Sequence, residues 1–202
     1  MAVRSDAELR EQSLHVLWEF RMLMRLATHL YDRRHEGVTQ TVEPLDAAAL
    51  ESFCLHARAL MEFLWRDRTR GKKPRKDDAV AGDWFDSGTW RYEPILPAEL
   101  HVLEGRVGVG MAHIRYKRID LIEAWGWHHV EIAHRIAYRF ACFVQDVPRD
   151  RVDRHFEHEA ATENLGFRQN MADKEPWVLA PAAEPVGTPA YASLWIAPLD
   201  PT

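Results

Sequence analysis

One segment, GRVGVGMAHIRYKR at residues 105–118, contains an arginine and a histidine that together could bind an anionic group and transfer a proton. Arg106 and His113 are seven residues apart, close to two helical turns, so on a helix both side chains leave the same face. A guanidinium neutralises charge that develops on a phosphoryl group, and an imidazole transfers protons near neutral pH. The simpler alternative is that Arg106 lies on a solvated edge while His113 makes one hydrogen bond in the core.

Further polar side chains lie in the segment LDAAALESFCLHARALMEFLWRD. On a helix, Glu51 and Arg58 share a face by the same seven-residue spacing, whereas His56 points away from both. The pattern predicts a surface ion pair between Arg58 and Glu62, worth a few tenths of a kcal/mol. A functional alternative places Glu51 or Arg58 beside the histidine of the first segment, with His56 in a supporting role.

Basic residues are concentrated in two places. Residues 66–76 carry seven basic groups against one acidic group, and Arg115, Lys117 and Arg118 form a second cluster. A solvated loop is the usual meaning of such a charge run. The alternative is a local anion site in which this second cluster and Arg58 bind the substrate. Three carboxylates after the basic loop are candidates for supporting contacts: Asp77, Asp78 and Asp83.

Metal binding is a third interpretation. The chain has eleven histidines, and Glu131 with His134 forms one Glu-x-x-His motif. Di-iron bundles use two such motifs with two further glutamates, and no second one occurs in the sequence. His155 and His158 are spaced to share a helix face. There is no His-Glu-x-x-His motif, paired-cysteine motif or phosphate-loop ending. We therefore expect no resident metal or cofactor.

Helical periodicity dominates the chain and predicts the elements that position these residues. Helices are expected near residues 5–35, 44–68, 97–118 and 127–146, from capping signals and apolar residues at 3.6-residue spacing. Three glycines interrupt the third, which favours close packing against another backbone. No segment alternates with period two. The fold class is all-α, a four-helix-type bundle with a basic loop and an extended, proline-rich C-terminal tail.

The bundle is expected to occupy residues 1–148, followed by a charged, weakly helical segment and the tail at 149–202. From residue 176 onward the sequence has six prolines and no lysine or arginine, yet it retains Trp177, Tyr191 and Trp195. These aromatic residues favour a tail that packs on its own bundle or on a partner.

Composition sets the broad class. The chain has 202 residues, 47% of them hydrophobic, and a formal net charge of −5, which argues against nonspecific binding to nucleic acid. No apolar run approaches the roughly 18 residues of a membrane span, and the N-terminus does not resemble a secretory signal. Two cysteines, Cys54 and Cys142, are too few for a disulfide framework. These features predict a cytoplasmic protein.

The Arg-x6-His spacing on a helix of a small bundle resembles the motif of the HEPN superfamily (higher eukaryotes and prokaryotes nucleotide-binding). That resemblance implies a helical bundle, commonly dimeric, with metal-independent ribonuclease activity. Arg106 would then bind the scissile phosphate and His113 would transfer the proton of the ribose hydroxyl. Val107 departs from the family, which often has a polar residue directly after the arginine. The blocks ALESFCLHARALMEFL, DDAVAGDW and MAHIRYKR, in this order over residues 45–130, also resemble a group of bacterial hypothetical proteins with no assigned activity.

The resemblance implies an RNA-cleaving toxin or defence effector, with RNA and an antitoxin or other protein as partners. The alternatives are a noncatalytic bundle that binds a small ligand or a protein, and a metal-dependent helical enzyme. We also expect a homodimer, because the glycines of the third predicted helix permit close approach and a two-fold axis could bring two Arg–His pairs together.

Overall fold

A computed structural model of the chain describes residues 4–35, 44–66, 68, 74–75, 77–88, 90, 100 and 129–174. Within these ranges the chain forms four α-helices and two short 3₁₀ helices and contains no strand. The all-α bundle predicted from the sequence is confirmed. None of the helices in the described ranges is long and apolar enough to cross a membrane.

Helix α1 spans Asp6–His35 and begins with a capping box. The Ser5 hydroxyl accepts the Glu8 backbone N–H at 3.3 Å, and the Ser5 backbone N–H donates to the Glu8 carboxylate at 2.8 Å. These two bonds satisfy N–H groups that the first turn of a helix leaves without partners. The apolar residues of α1 recur every three or four positions and enter the core, where Phe20, Leu23 and Ala27 are fully buried.

Helix α2 spans Pro44–Trp65 and packs antiparallel to α1. Pro44 occupies the first turn, where its missing N–H costs no hydrogen bond. Arg33, near the end of α1, contacts Asp46 at the start of α2 with a 3.0 Å Nε–Oδ1 distance, and Glu19 contacts His56 further along. This pairing fixes the register of the hairpin.

Helix α3 spans His129–Asp146 and is the central helix, with buried residues on every side of its C-terminal half. The Phe140 ring stacks on Phe20 of α1 at 4.2 Å between centroids. The Phe143 ring makes edge contacts with Phe63 of α2 at 5.0 Å and with Trp84, in the 3₁₀ helix Ala81–Trp84, at 5.9 Å. Edge-to-face packing of this kind suits the quadrupole of aromatic rings.

Helix α4 spans Phe156–Met171, in a segment that the sequence predicted to be only weakly helical. It follows a 3₁₀ helix at Arg149–Arg151 and packs against α1 and α3. Its buried face combines four apolar residues with two polar ones: Phe156, Ala160, Phe167 and Met171, with Asn164 and Arg168. The polar members interrupt the apolar stripe, which is why the periodicity is weak in the sequence.

Charged side chains join α4 to α1. The Arg21 guanidinium contacts Glu159 and Glu163, each at 2.8 Å, and Arg25 contacts Glu163 at 2.8 Å. Glu163 is the most shielded of the four, with 15% of its side chain exposed. The acidic residues of α4 therefore contribute to its docking on α1.

Three of the four predicted core helices are confirmed as α1, α2 and α3. The predicted helix at 97–118 lies outside the described residues except for Leu100, which is helical and fully buried. Residues 175–202, which include the predicted tail from residue 176 onward, also lie outside them.

Candidate functional site

The proposed catalytic pair is not among the residues that the structure describes. Arg106 and His113 lie outside the described ranges, as do the basic residues Arg115, Lys117 and Arg118. The candidate residues that can be placed are Glu51, His56, Arg58 and Asp78, together with the metal-ligand candidates of α3 and α4.

Trp90, which precedes the Arg–His segment in the chain, and His129, which follows it, lie at opposite ends of α3. Trp90 donates its indole N–H to Asp146, the last residue of α3, at 3.0 Å. His129 is the first residue of the same helix, and the centroid of its ring lies 5.3 Å from that of Phe53 on α2. The 17 steps from His129 to Asp146 cover about 26 Å at 1.5 Å per residue.

His56 lies at the contact between α1 and α2. Its Nδ1 is 2.7 Å from the Glu19 carboxylate, and 16% of its side chain is exposed. A carboxylate at this distance fixes the orientation of the imidazole ring. This pair joins residues 37 positions apart in the sequence, and Glu19 carries no signal in the sequence that would single it out.

Arg58 forms the surface ion pair predicted from the sequence. Its Nε is 3.0 Å from Glu62, which also accepts a 2.6 Å bond from Arg66. The Arg58 side chain remains 41% exposed, so it can still meet a ligand. Glu51 is exposed on the same helix, two residues before Phe53, the first buried residue of α2.

Arg68 anchors the end of the basic loop. Its guanidinium binds both oxygens of Asp83, at 2.6 and 2.7 Å, and donates to the backbone carbonyls of Asp78 at 2.6 Å and Arg75 at 3.3 Å. The hydrogen bonds that Arg68 donates to the Asp83 carboxylate raise the pKa of Arg68 above its already high usual value. Asp78 adds a further link, since its carboxylate accepts the backbone N–H of Arg75 at 2.7 Å.

These bonds give Asp78 and Asp83 a structural role at the base of the loop. Of the basic residues at 66–76, Arg66 and Arg68 both have carboxylate partners. Both guanidinium groups therefore already form ion pairs with carboxylates of the same chain.

A cleft of about 260 Å³ lies between the first turns of α1 and residues 77–84. Four carboxylates line it, Glu8, Glu11, Asp77 and Asp83, against one arginine, Arg4, and one histidine. Glu8 and Asp83 are already engaged in the capping box and in the Arg68 pair. Negative charge repels a phosphate backbone, so this cleft does not suit RNA.

The metal interpretation finds no support in the described ranges. No group of three or more histidine, cysteine, aspartate or glutamate side chains there is arranged to hold a metal ion. Glu131 pairs with Arg135 one turn further along α3, at 3.0 Å. His155 and His158 are both exposed at the start of α4.

The thiol of Cys54 is not available as a nucleophile. Cys54 is fully buried, and burial, followed by the nearby charge of Glu51, raises its pKa to about 12. The reactive form of cysteine is the thiolate, which is scarce at neutral pH for such a group.

A buried arginine on α3 was not predicted from the sequence. Arg139 is 7% exposed, and its guanidinium carbon lies 4.5 Å from the centre of the Trp90 ring and 5.6 Å from that of Trp65. Stacking on aromatic faces offsets part of the cost of burying a cation. Arginine in an amphipathic pattern is normally assigned to the surface, so the burial of Arg139 could not be predicted from the sequence.

Comparison with known proteins adds no relative: no protein-family model matches the chain, and no curated protein or solved structure is significantly similar to it.

Proposed function

We propose that this chain is a metal-independent endoribonuclease of the HEPN type, acting as a toxin or defence effector in the cytoplasm. The observation that carries the proposal is the Arg-x6-His spacing of Arg106 and His113 in a chain that folds as an all-α bundle. Its partners would be RNA as substrate, a second copy of the chain, and an antitoxin or other protein.

The position of the flanking residues supports the proposal. Trp90 and His129 lie at the two ends of α3, about 26 Å apart by helical rise. The 22 residues predicted to form the helix at 97–118 would span about 33 Å, which is sufficient to run alongside α3. Leu100, at the start of that range, belongs to the core. A helix so placed would hold both reactive side chains against a rigid support.

The proposed chemistry is an attack of the ribose 2′-hydroxyl on the adjacent phosphorus. His113 takes the proton of that hydroxyl as the 2′-oxygen forms its bond to phosphorus, and the bond to the 5′-oxygen breaks. Arg106 neutralises the negative charge that grows on the non-bridging oxygens. The 5′-oxygen leaves with a proton from solvent or from the imidazolium, and the other product ends in a 2′,3′-cyclic phosphate.

Substrate binding is assigned to Arg58, Arg115, Lys117 and Arg118. A chain with a formal net charge of −5 attracts RNA only through a local cluster of cations. Arg58 is the one member of this set among the described residues, and its side chain is 41% exposed. Three further residues are proposed to support the site indirectly, by positioning the residues next to them: Glu51, His56 and Asp78.

Cleavage of a labelled single-stranded RNA in the presence of EDTA tests the proposal. Arg106→Ala and His113→Ala should each abolish cleavage and leave the helical circular dichroism unchanged. Matched controls are Arg75→Ala and His158→Ala, which remove an exposed arginine and an exposed histidine elsewhere and should cleave normally. Loss of activity with EDTA would favour a metal enzyme. Wild-type protein that cuts no RNA, with a His113→Ala variant that unfolds, would favour a noncatalytic bundle.

The noncatalytic alternative, a bundle that binds a protein, is favoured by one observation. Two large apolar side chains on α1, Leu14 and Trp18, are about half exposed.

A further inference from the structure

The outer face of α1 carries apolar side chains that the bundle does not cover. Leu14 is 49% exposed and Trp18 is 52% exposed. They are four residues apart, so they are neighbours on one helix face. Among the described residues, the other exposed large apolar side chains are isolated: Leu45 and Leu55, ten positions apart on α2, and Leu165 on α4.

The exposed pair belongs to a longer strip, here called the α1 seam, made of Glu11, Leu14, Trp18, Met22 and Arg25. The spacings of three, four, four and three residues keep these positions on one face along α1. Met22 is half-buried, and Glu11 and Arg25 are exposed. The core residues of α1 lie on the opposite side.

The α1 seam is symmetric about Trp18. Leu14 and Met22 lie four residues before and after it, and Glu11 and Arg25 lie seven residues before and after it. An antiparallel two-fold axis through Trp18 would therefore place each apolar side chain against an apolar one. It would also place Glu11 against the partner subunit's Arg25, twice.

We propose that the α1 seam is an interface between two copies of this chain, packed antiparallel across a two-fold axis at Trp18. A two-fold interface requires one patch that complements itself, and this strip has that property in the order of its apolar and charged residues. The inference depends on α1 alone and does not rest on the proposed ribonuclease activity.

The charged ends of the seam can accept the partner. The Glu11 side chain is exposed, and its carboxylate has no hydrogen bond or ion pair with any residue in the described ranges. Arg25 binds Glu163 through Nε and Nη2, at 3.2 and 2.8 Å, so Nη1 is not used in that pair, and 64% of its side chain remains exposed. A guanidinium has five N–H donors and can serve two carboxylates.

The interface is small. About half of Trp18 is exposed, which corresponds to roughly 100 Å² of ring surface per copy. A single helix pair of this size falls at the low end of specific interfaces, below about 1,200 Å² in total. We therefore expect a dimer that dissociates at micromolar concentration.

Cysteine cross-linking in the full-length chain tests both the surface and its register. A residue on a two-fold axis meets its own copy, and a disulfide needs Cα atoms within about 7 Å. Trp18→Cys should form a disulfide-linked dimer under mild oxidation. Leu14→Cys alone should not, because its two copies would lie about 12 Å apart along the helices, but it should cross-link with Met22→Cys in a mixture. Cys54 and Cys142 are buried and give no background.

Leu55→Cys is the matched control, since Leu55 is 63% exposed but lies on α2. Cross-linking of Leu55→Cys as fast as Trp18→Cys would reveal random collision and overturn the proposal. Leu14→Cys cross-linking alone as well as in the mixture would overturn the antiparallel register.

Analytical sedimentation of seam variants that carry no introduced cysteine measures the dissociation constant of the dimer independently. Glu11→Lys should weaken dimerisation at least tenfold, because it places a second positive charge next to the partner subunit's Arg25 in each of the two contacts. Trp18→Asp should abolish dimerisation. Asp173→Lys, an exposed charge reversal after α4, should leave the dissociation constant unchanged. A wild-type chain that stays monomeric up to several hundred micromolar, or a dimer that persists in Trp18→Asp, would overturn the proposal.

Discussion

Breaking the ion pair between Arg68 and Asp83 should destabilise the whole bundle, although it lies at the edge of a loop. Each side chain is only 13% exposed, and the two bonds between them measure 2.6 and 2.7 Å. Asp83→Asn removes the negative charge and one of the two acceptors, and leaves a shielded guanidinium with a neutral partner.

The size of the effect follows from burial. A hydrogen bond to a charged group contributes about 1.5–3 kcal/mol, and removing one partner of a fully buried ion pair costs about 3–5 kcal/mol. Because Arg68 and Asp83 keep some contact with solvent, we expect Asp83→Asn to lower the free energy of unfolding by about 2–3 kcal/mol. Arg68→Met should cost a similar amount, since it also removes the bond to the Asp78 carbonyl.

Urea denaturation followed by circular dichroism measures this loss. With a slope of about 2 kcal/mol per molar urea, a loss of 2–3 kcal/mol lowers the midpoint by about 1–1.5 M. The Arg68→Met/Asp83→Asn double variant should lose less than the sum of the two single variants, because both remove the same interaction. The control is Arg58→Ala, which breaks an exposed pair within one helix and should cost no more than about 0.5 kcal/mol.

Two outcomes would contradict the predicted contribution of the Arg68–Asp83 pair to stability. If Asp83→Asn cost as little as Arg58→Ala, the pair would be screened like an ordinary surface pair. If the losses of the two single variants were strictly additive, Arg68 and Asp83 would act through different contacts.

Two further predictions concern the core. Phe143→Ala should lower the free energy of unfolding by about 3–5 kcal/mol, because this fully buried ring contacts aromatic rings of α2, α4 and the 3₁₀ helix Ala81–Trp84; in a urea titration, a loss below 1 kcal/mol would contradict the central position of α3. Cys54, whose pKa is raised to about 12, should not react with a thiol reagent in the native protein at pH 8 and should react once the chain is unfolded in urea, so rapid native labelling would show that the thiol is accessible.

Local signals predicted the parts of the fold that depend on local physics. The capping box at Ser5 and Glu8, the proline at the start of α2, and the apolar periodicity of α1, α2 and α3 are all properties of neighbouring residues. For this reason the sequence predicted these helices to within a few residues. It also predicted the Arg58–Glu62 pair, which needs only a spacing of four.

Helix α4 and the long-range pairs escaped prediction for physical reasons. Asn164 and Arg168 lie on the buried face of α4, so apolar periodicity alone could not mark that face. Glu19 with His56, and Arg68 with Asp83, are 37 and 15 residues apart. Such contacts depend on how the helices pack, and the residues around one member of each pair do not indicate which distant residue it contacts.

We propose that Arg106 and His113 cleave RNA through the adjacent ribose hydroxyl without a metal. The most direct measurement compares an RNA oligonucleotide with the same oligonucleotide carrying a single 2′-deoxyribose at the mapped cleavage position, both in EDTA. The wild type should cut the first oligonucleotide and leave a 2′,3′-cyclic phosphate end, and His113→Ala should not cut it. The second oligonucleotide should remain intact at that position. Cleavage of the deoxy-substituted strand at the same position, or products with a 5′-phosphate, would contradict the claim.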